Sequence, residues 1–195
     1  MIDSTIFRFR LYLMCLFSVC MVTLASPSSG MIVKDVVFTP RVELGSTTLR
    51  LHNAALLRYM KLIDAYVAAL YLPEGVHPSH VLSDVPKRLE ISYLVSIKGR
   101  DFDKGAKPAL ERNLSPVEMR RLQDRIDRIN AVYEDVKPGD RYSLTYVPGR
   151  GTELALNNRA LVNIEGADFA AAYFGIWLGQ KPVDEKLKQD LLRSR

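Results

Sequence analysis

Cysteine is almost missing from this chain: Cys15 and Cys20 are the only two, and both lie in an apolar stretch near the N-terminus. A chain that loses that stretch has no disulfide, no zinc–thiolate site and no cysteine nucleophile. Histidine is nearly as scarce, with His52, His77 and His80 alone. His77 and His80 flank Pro78, and no acidic ligand is close in sequence, so they read as loop and capping residues and no metal site is expected. No serine sits in a nucleophile elbow and no phosphate loop is present, so no cofactor is expected either. Charge of one sign is not concentrated. The net charge is +5, but basic and acidic residues alternate, as in RRLQDRIDR, which reads as a solvated face and argues against a nucleic-acid partner.

What is present begins with a distinctive N-terminus. Arg8 and Arg10 precede an apolar run from Leu11 to Ala25, and the small and turn-forming SPSSG follows. This is the pattern of a secretory signal peptide. The run has about 15 residues, short of the roughly 20 that a spanning helix needs. Thr23 and Ala25 fit the positions before a cleavage site, so residues 1–25 read as signal peptide and 26–195 as one mature domain. The expected location is periplasmic or secreted. The alternative is an anchor formed by an uncleaved N-terminal segment. No membrane span is expected in the mature chain.

The mature chain starts with short alternating strands in MIVKDVVFTPRVELGSTTLRLHNA. HPSHVLSDVP predicts a short helix with Ser79 as N-cap, and KRLEISYLVSI a strand with Leu89, Ile91 and Tyr93 on one face. RDFDKGAKPALERNL predicts a helix interrupted by Gly105 and Pro108. Ser115-Pro116-Val117-Glu118 is a capping box with proline in the first turn. Behind it Met119, Leu122, Ile126, Ile129, Tyr133 and Val136 form one apolar stripe. Three strands then make an antiparallel meander through DRYSLTYVPG, TELALN and RALVNIEG, with a tight turn at Asn157-Asn158. ADFAAAYFGIWLG predicts an apolar helix closed by Gly179, and PVDEKLKQDLL a short final helix. Asp168 reads as a helix-start residue. The fold class is α+β, an antiparallel sheet with helices packed on one face.

The segment LLRYMKLIDAYVAALYLP, Leu56 to Pro73, is apolar but contains Arg58, Lys61 and Asp64. Those charges exclude a membrane span, since each costs several kcal/mol near a bilayer centre, roughly 2.5–3.5 on insertion scales. A long strand, or two strands joined by a bend near Met60-Lys61, suits the β-branched and aromatic residues. Arg58 has apolar neighbours, and a guanidinium partly buried there needs an anionic partner. That partner is either a structural carboxylate, Asp64 or Glu90, or the carboxylate of a ligand held in its planar fork.

LHNAALLRYMKLIDAYVAALYLPE resembles the arginine-bearing strand region of the chalcone isomerase-like domain, and IEGADFAAAYFGIWLGQKPVDEKLKQDLL is similar to that family's C-terminal region. The resemblance covers roughly Val33 to Leu192 and is to short exported bacterial members rather than the plant enzymes. It implies an open-faced β-sandwich: a large antiparallel sheet, a layer of helices on one face and a ligand cleft between them. The plant enzymes close a chalcone with an arginine, a tyrosine, two threonines and an asparagine. By resemblance Arg58 takes the arginine position and Tyr66 one threonine position. The tyrosine falls near Phe102, the asparagine near Ala109, and the C-terminal threonine on Ile176.

Phe102, Ala109 and Ile176 cannot donate to a developing enolate oxygen. The resemblance therefore implies the branch that binds fatty acids without catalysis, with Arg58 and Tyr66 gripping the carboxylate and Tyr173 lining the cleft. The expected partner is a fatty acid or similar apolar carboxylate. One alternative is an isomerase or intramolecular lyase with an unknown substrate. A second is an envelope interaction module with a vestigial cleft. The sequence leaves the oligomeric state open.

Overall fold

The computed structural model describes residues 30–194. The expectations for residues 1–25, their cleavage or their anchoring, lie outside the described residues.

Seven strands form one antiparallel sheet in strict chain order: β3 (Arg41–Leu44), β4 (Thr47–Tyr59), β5 (Ile63–Pro73), β6 (Lys87–Tyr93), β7 (Arg141–Val147), β8 (Gly151–Leu156) and β9 (Arg159–Ile164). A separate hairpin, β1 (Met31–Val33) and β2 (Val36–Phe38), packs against β4. Four helices cover the opposite face: α1 (Phe102–Asn113), α2 (Pro116–Asn130), α3 (Ala167–Leu178) and α4 (Glu185–Leu192). The fold is α+β, a large antiparallel sheet with helices packed on one face. Among the described residues no helix is long and apolar enough to cross a membrane.

The sheet is buried on both faces along β4 and β5, so β5 reads as a nearly continuous apolar run. Ala68, Leu70 and Leu72 join the core under the helices. Val67, Ala69 and Tyr71 point the other way and bury Phe38 and Leu49 beneath the first hairpin. The second face also holds a buried ionic cluster. Glu90 accepts from Arg88 at 3.0 Å and from Arg141 at 2.7 Å, and Arg141 lies over the Phe38 ring at 4.9 Å.

Two β-bulges decide which residues face the helices. Pairing slips between Leu51 and Asn53, and again where Leu57 opposes Tyr66 but Arg58 opposes Asp64. Each extra residue, His52 and Ala65, inverts the alternation of its strand. Leu49 thus packs on the hairpin side, whereas Ala55 and Leu57 face the helices.

The helix boundaries follow local chemistry. Ser115 Oγ accepts from the Glu118 amide, and the Glu118 carboxylate accepts from the Ser115 amide at 2.8 Å. Asp184 caps α4 by accepting from the Leu187 amide. Asp168, in the first turn of α3, binds Arg125 through both carboxylate oxygens, which holds its carboxyl down at about 2. Three expectations change. The segment after His77 is a single 3-10 turn, Pro78–His80, whose cap is the His77 ring rather than Ser79. Helix α2 ends at Asn130, so Tyr133 and Val136 of the expected stripe, which ran to near Lys137, lie beyond it. Helix α1 runs unbroken through Gly105 and Pro108.

One further buried charge lies at the far end of β6. The Lys87 side chain is fully enclosed. Its ammonium donates to the Ser83 and Val85 carbonyls at 2.7 and 3.1 Å and sits 4.6 Å from the Tyr146 ring centre. Burial pulls its pKa down to about 8.

Candidate functional site

Between the helix layer and the sheet lies a cavity of about 650 Å³, inside the range of roughly 300–1,000 Å³ typical of small-molecule sites. Its floor is the helix-facing side of the sheet, including Leu89, Ile91, Leu144 and Leu154. Its roof is α1 together with Ile176 and Trp177 of α3. An aromatic wall closes one side. Tyr93 meets Tyr66 and Phe102 edge-on, at 5.9 and 5.7 Å between ring centres, and Phe102 stacks on Tyr133 at 4.6 Å.

Helix α1 contributes the space itself. Gly105, Pro108 and Arg112 recur at steps of three and four and all line the cavity. A Cβ at Gly105 would meet nothing within 4 Å. The residues that look like helix interruptions are therefore the small, flat face that leaves the cavity open.

Polar groups are few. Tyr66 lines the cavity, and its hydroxyl oxygen accepts from Trp177 Nε1 at 3.1 Å. The indole can only donate, so the Tyr66 proton remains free for another acceptor. Burial pushes the Tyr66 phenol well above its usual range, so it stays a neutral donor. Two charged residues reach the lining, Asp101 and Arg112. Asp101 is committed to Lys104 at 2.6 Å. Exposed Arg112 makes a 3.2 Å bond to the Pro182 carbonyl, and among the described residues no carboxylate lies within ion-pair distance of it.

The residues singled out in the sequence are not brought together. Leu57 and Tyr66 oppose each other and share the cavity face, whereas Arg58 opposes Asp64 on the other face. Adjacent residues of β4 alternate, so Arg58 lies across the sheet from Leu57 and Tyr66, and the bulge at Ala65 brings Asp64 onto the face of Arg58. Arg58 Nε donates to Asp64 at 2.7 Å, its side chain is 49% exposed, and it is not part of the cavity lining. Lys34, from the turn of the first hairpin, reaches the same carboxylate at 2.8 Å. Lys34 and Arg58 together hold Asp64 below the usual carboxylate range. Tyr173 stands one layer behind the cavity. It is buried, and its hydroxyl bonds the Tyr133 hydroxyl at 3.1 Å and donates to Asn130 at 3.4 Å. Phe102 and Ile176 line the cavity as apolar groups, and Ala109 is buried beside it. Arg112 was not singled out in the sequence. Its spacing from Gly105 and Pro108 was the available signal.

The comparisons fit this architecture. The model of the family described as chalcone isomerase-like matches residues 30–193, and the chain belongs to that family. Among solved structures the chain is similar to a fatty-acid binding protein of Arabidopsis thaliana, with a TM-score of 0.63 and 14% sequence identity over 84% of this chain and 96% of that one. No curated protein matches the sequence.

Proposed function

We propose that the chain binds a fatty acid or a similar apolar carboxylate between sheet and helices and does not transform it. The observation that carries this reading is an apolar cavity of about 650 Å³ whose one cation free of a carboxylate partner, among the described residues, is Arg112 at the rim. The acyl chain lies along Leu89, Leu144 and Leu154, and the carboxylate meets Arg112. The likeness to the Arabidopsis fatty-acid binding protein supports the ligand class. Phe102, Ala109 and Ile176 offer no donors for a developing oxyanion, which supports binding without chemistry.

Trp177 is the single tryptophan and lines the cavity, so it reports directly on occupancy. Titration with palmitate is expected to shift its emission. Gly105→Phe is expected to abolish that response while leaving the protein folded, because the new ring enters open space and the helix gains roughly 0.3–0.5 kcal/mol in propensity. Arg112→Ala is expected to weaken binding by about 1 kcal/mol, the scale of an exposed ion pair. Calorimetry showing no binding to the wild type would overturn the proposal. So would unchanged affinity in a folded Gly105→Phe protein.

A further inference from the structure

The tip of the β4–β5 hairpin is built against the usual chemistry of a solvent-facing turn. Tyr59, Met60, Leu62 and Ile63 are 59%, 73%, 85% and 50% exposed. Scattered apolar side chains on a surface need no explanation, but four within five consecutive residues form a patch. The turn backbone adds a second, independent observation. Met60 and Lys61 both occupy the left-handed region, with φ of 49° and 61°. Hairpin turns with two successive residues at positive φ favour asparagine and glycine, and the β8–β9 turn of this same protein has Asn157 and Asn158 at φ of 50° and 66°. At the β4–β5 turn a long apolar side chain is kept where a small polar one would be less strained.

The patch is continuous with the cavity, because Tyr59 and Ile63 are also part of its lining. Charge around it leans positive. Lys61 has no ion-pair partner among the described residues, and Arg58 and Lys34 share the single carboxylate of Asp64. Asp35, beside Lys34, is the other acid on the two turns.

From these features we propose that the hairpin tip docks on the surface of an anionic phospholipid bilayer. Met60 and Leu62 enter the acyl boundary, to a depth of about 5–10 Å for an interfacial element. Tyr59 sits at headgroup level, where amphipathic rings concentrate. Lys61 extends its apolar stem and leaves its ammonium among the phosphates. Docking places the cavity mouth against the lipid. The proposal does not depend on the identity of the cavity's occupant, although in the reading above the bilayer would also be the source of the acid.

The test places a reporter at the tip of the full chain. Leu62→Trp is mixed with vesicles of phosphatidylcholine and phosphatidylglycerol in equal parts, carrying brominated acyl chains. Val117→Trp, at an exposed apolar site on α2, serves as the control. The expected result is a blue shift and loss of most of the added emission for Leu62→Trp, none for Val117→Trp, and recovery of the emission when Met60→Asp is added. The readout is local, so it holds however the rest of the chain associates with the vesicle. An unquenched tryptophan at the tip overturns the proposal. So does equal quenching at both sites, or quenching that survives Met60→Asp. A blue shift without vesicles that grows with protein concentration overturns it in favour of contact between copies.

Discussion

Arg58 and Arg112 differ in where the fold puts them: Arg58 lies across the sheet from the cavity, and Arg112 lines it. Arg58 closes a surface triad with Asp64 and Lys34 on the sheet face away from the cavity. Such exposed pairs contribute little to stability. Arg58→Ala is therefore expected to lower the melting temperature only slightly and to leave palmitate affinity unchanged. Calorimetry and thermal melting on the one variant check both. Loss of binding in a protein that still melts normally would contradict the placement of Arg58 across the sheet. The sequence did show that Arg58 needs an anion and that Asp64 was a candidate. It did not show the face, because Leu56 and Leu57 put apolar residues on both faces beside Arg58, so the pattern of its own strand does not mark the cavity side.

At the level of elements, the hairpins and capped helices were legible because their signals are local. The Ser115 box, the Asn157-Asn158 turn and the Asp184 cap each follow from residues a few positions apart. Ser115→Ala is expected to destabilise the protein by about 1 kcal/mol, the usual cost of an N-cap, with the shape of the unfolding transition unchanged. A denaturant titration measures it, and a neutral result would mean that α2 is held by its buried stripe alone. Helix α1 was less legible. Gly105 and Pro108 weaken a helix in isolation, and only the cavity beneath explains their presence. The same holds for Met60, whose place in a strained turn is visible only once its backbone is known.

For the whole molecule, the class of fold could be read from the order of elements, but not the size of the cavity, which depends on residues far apart in sequence. Buried ionisable groups give the molecule a distinctive response to base. Lys87 has its pKa depressed to about 8 from 10.5, so between those values the folded state sheds a proton that the unfolded chain retains, and stability rises with pH. The buried phenols of Tyr66, Tyr93, Tyr133 and Tyr173 behave oppositely. Their pKa values are raised above 10.0, so above that pH the unfolded chain loses protons that the folded state keeps. Each then removes about 1.4 kcal/mol per pH unit. Melting temperature is expected to climb from pH 8, peak near 10 and fall steeply beyond, and Lys87→Met should flatten the rise while sparing the fall. A wild-type profile that declines steadily from pH 8 would refute this assignment. The strict chain order of the sheet has a last consequence, for how the molecule assembles. Four of the six neighbouring strand pairs are joined by two or three residues; β5 and β6 are separated by residues 74–86, and β6 and β7 by the longest excursion, residues 94–140, which carries α1 and α2. That excursion leaves and returns at adjacent backbone, with Tyr93 and Gly139 hydrogen-bonded and Ile97 bridged to Val136. Closing it costs little more than closing a shorter one, since each doubling of length adds about 0.6 kcal/mol. The sheet can thus zip together hairpin by hairpin, and the roof can lengthen or shorten over evolutionary time without disturbing the order in which the strands find one another.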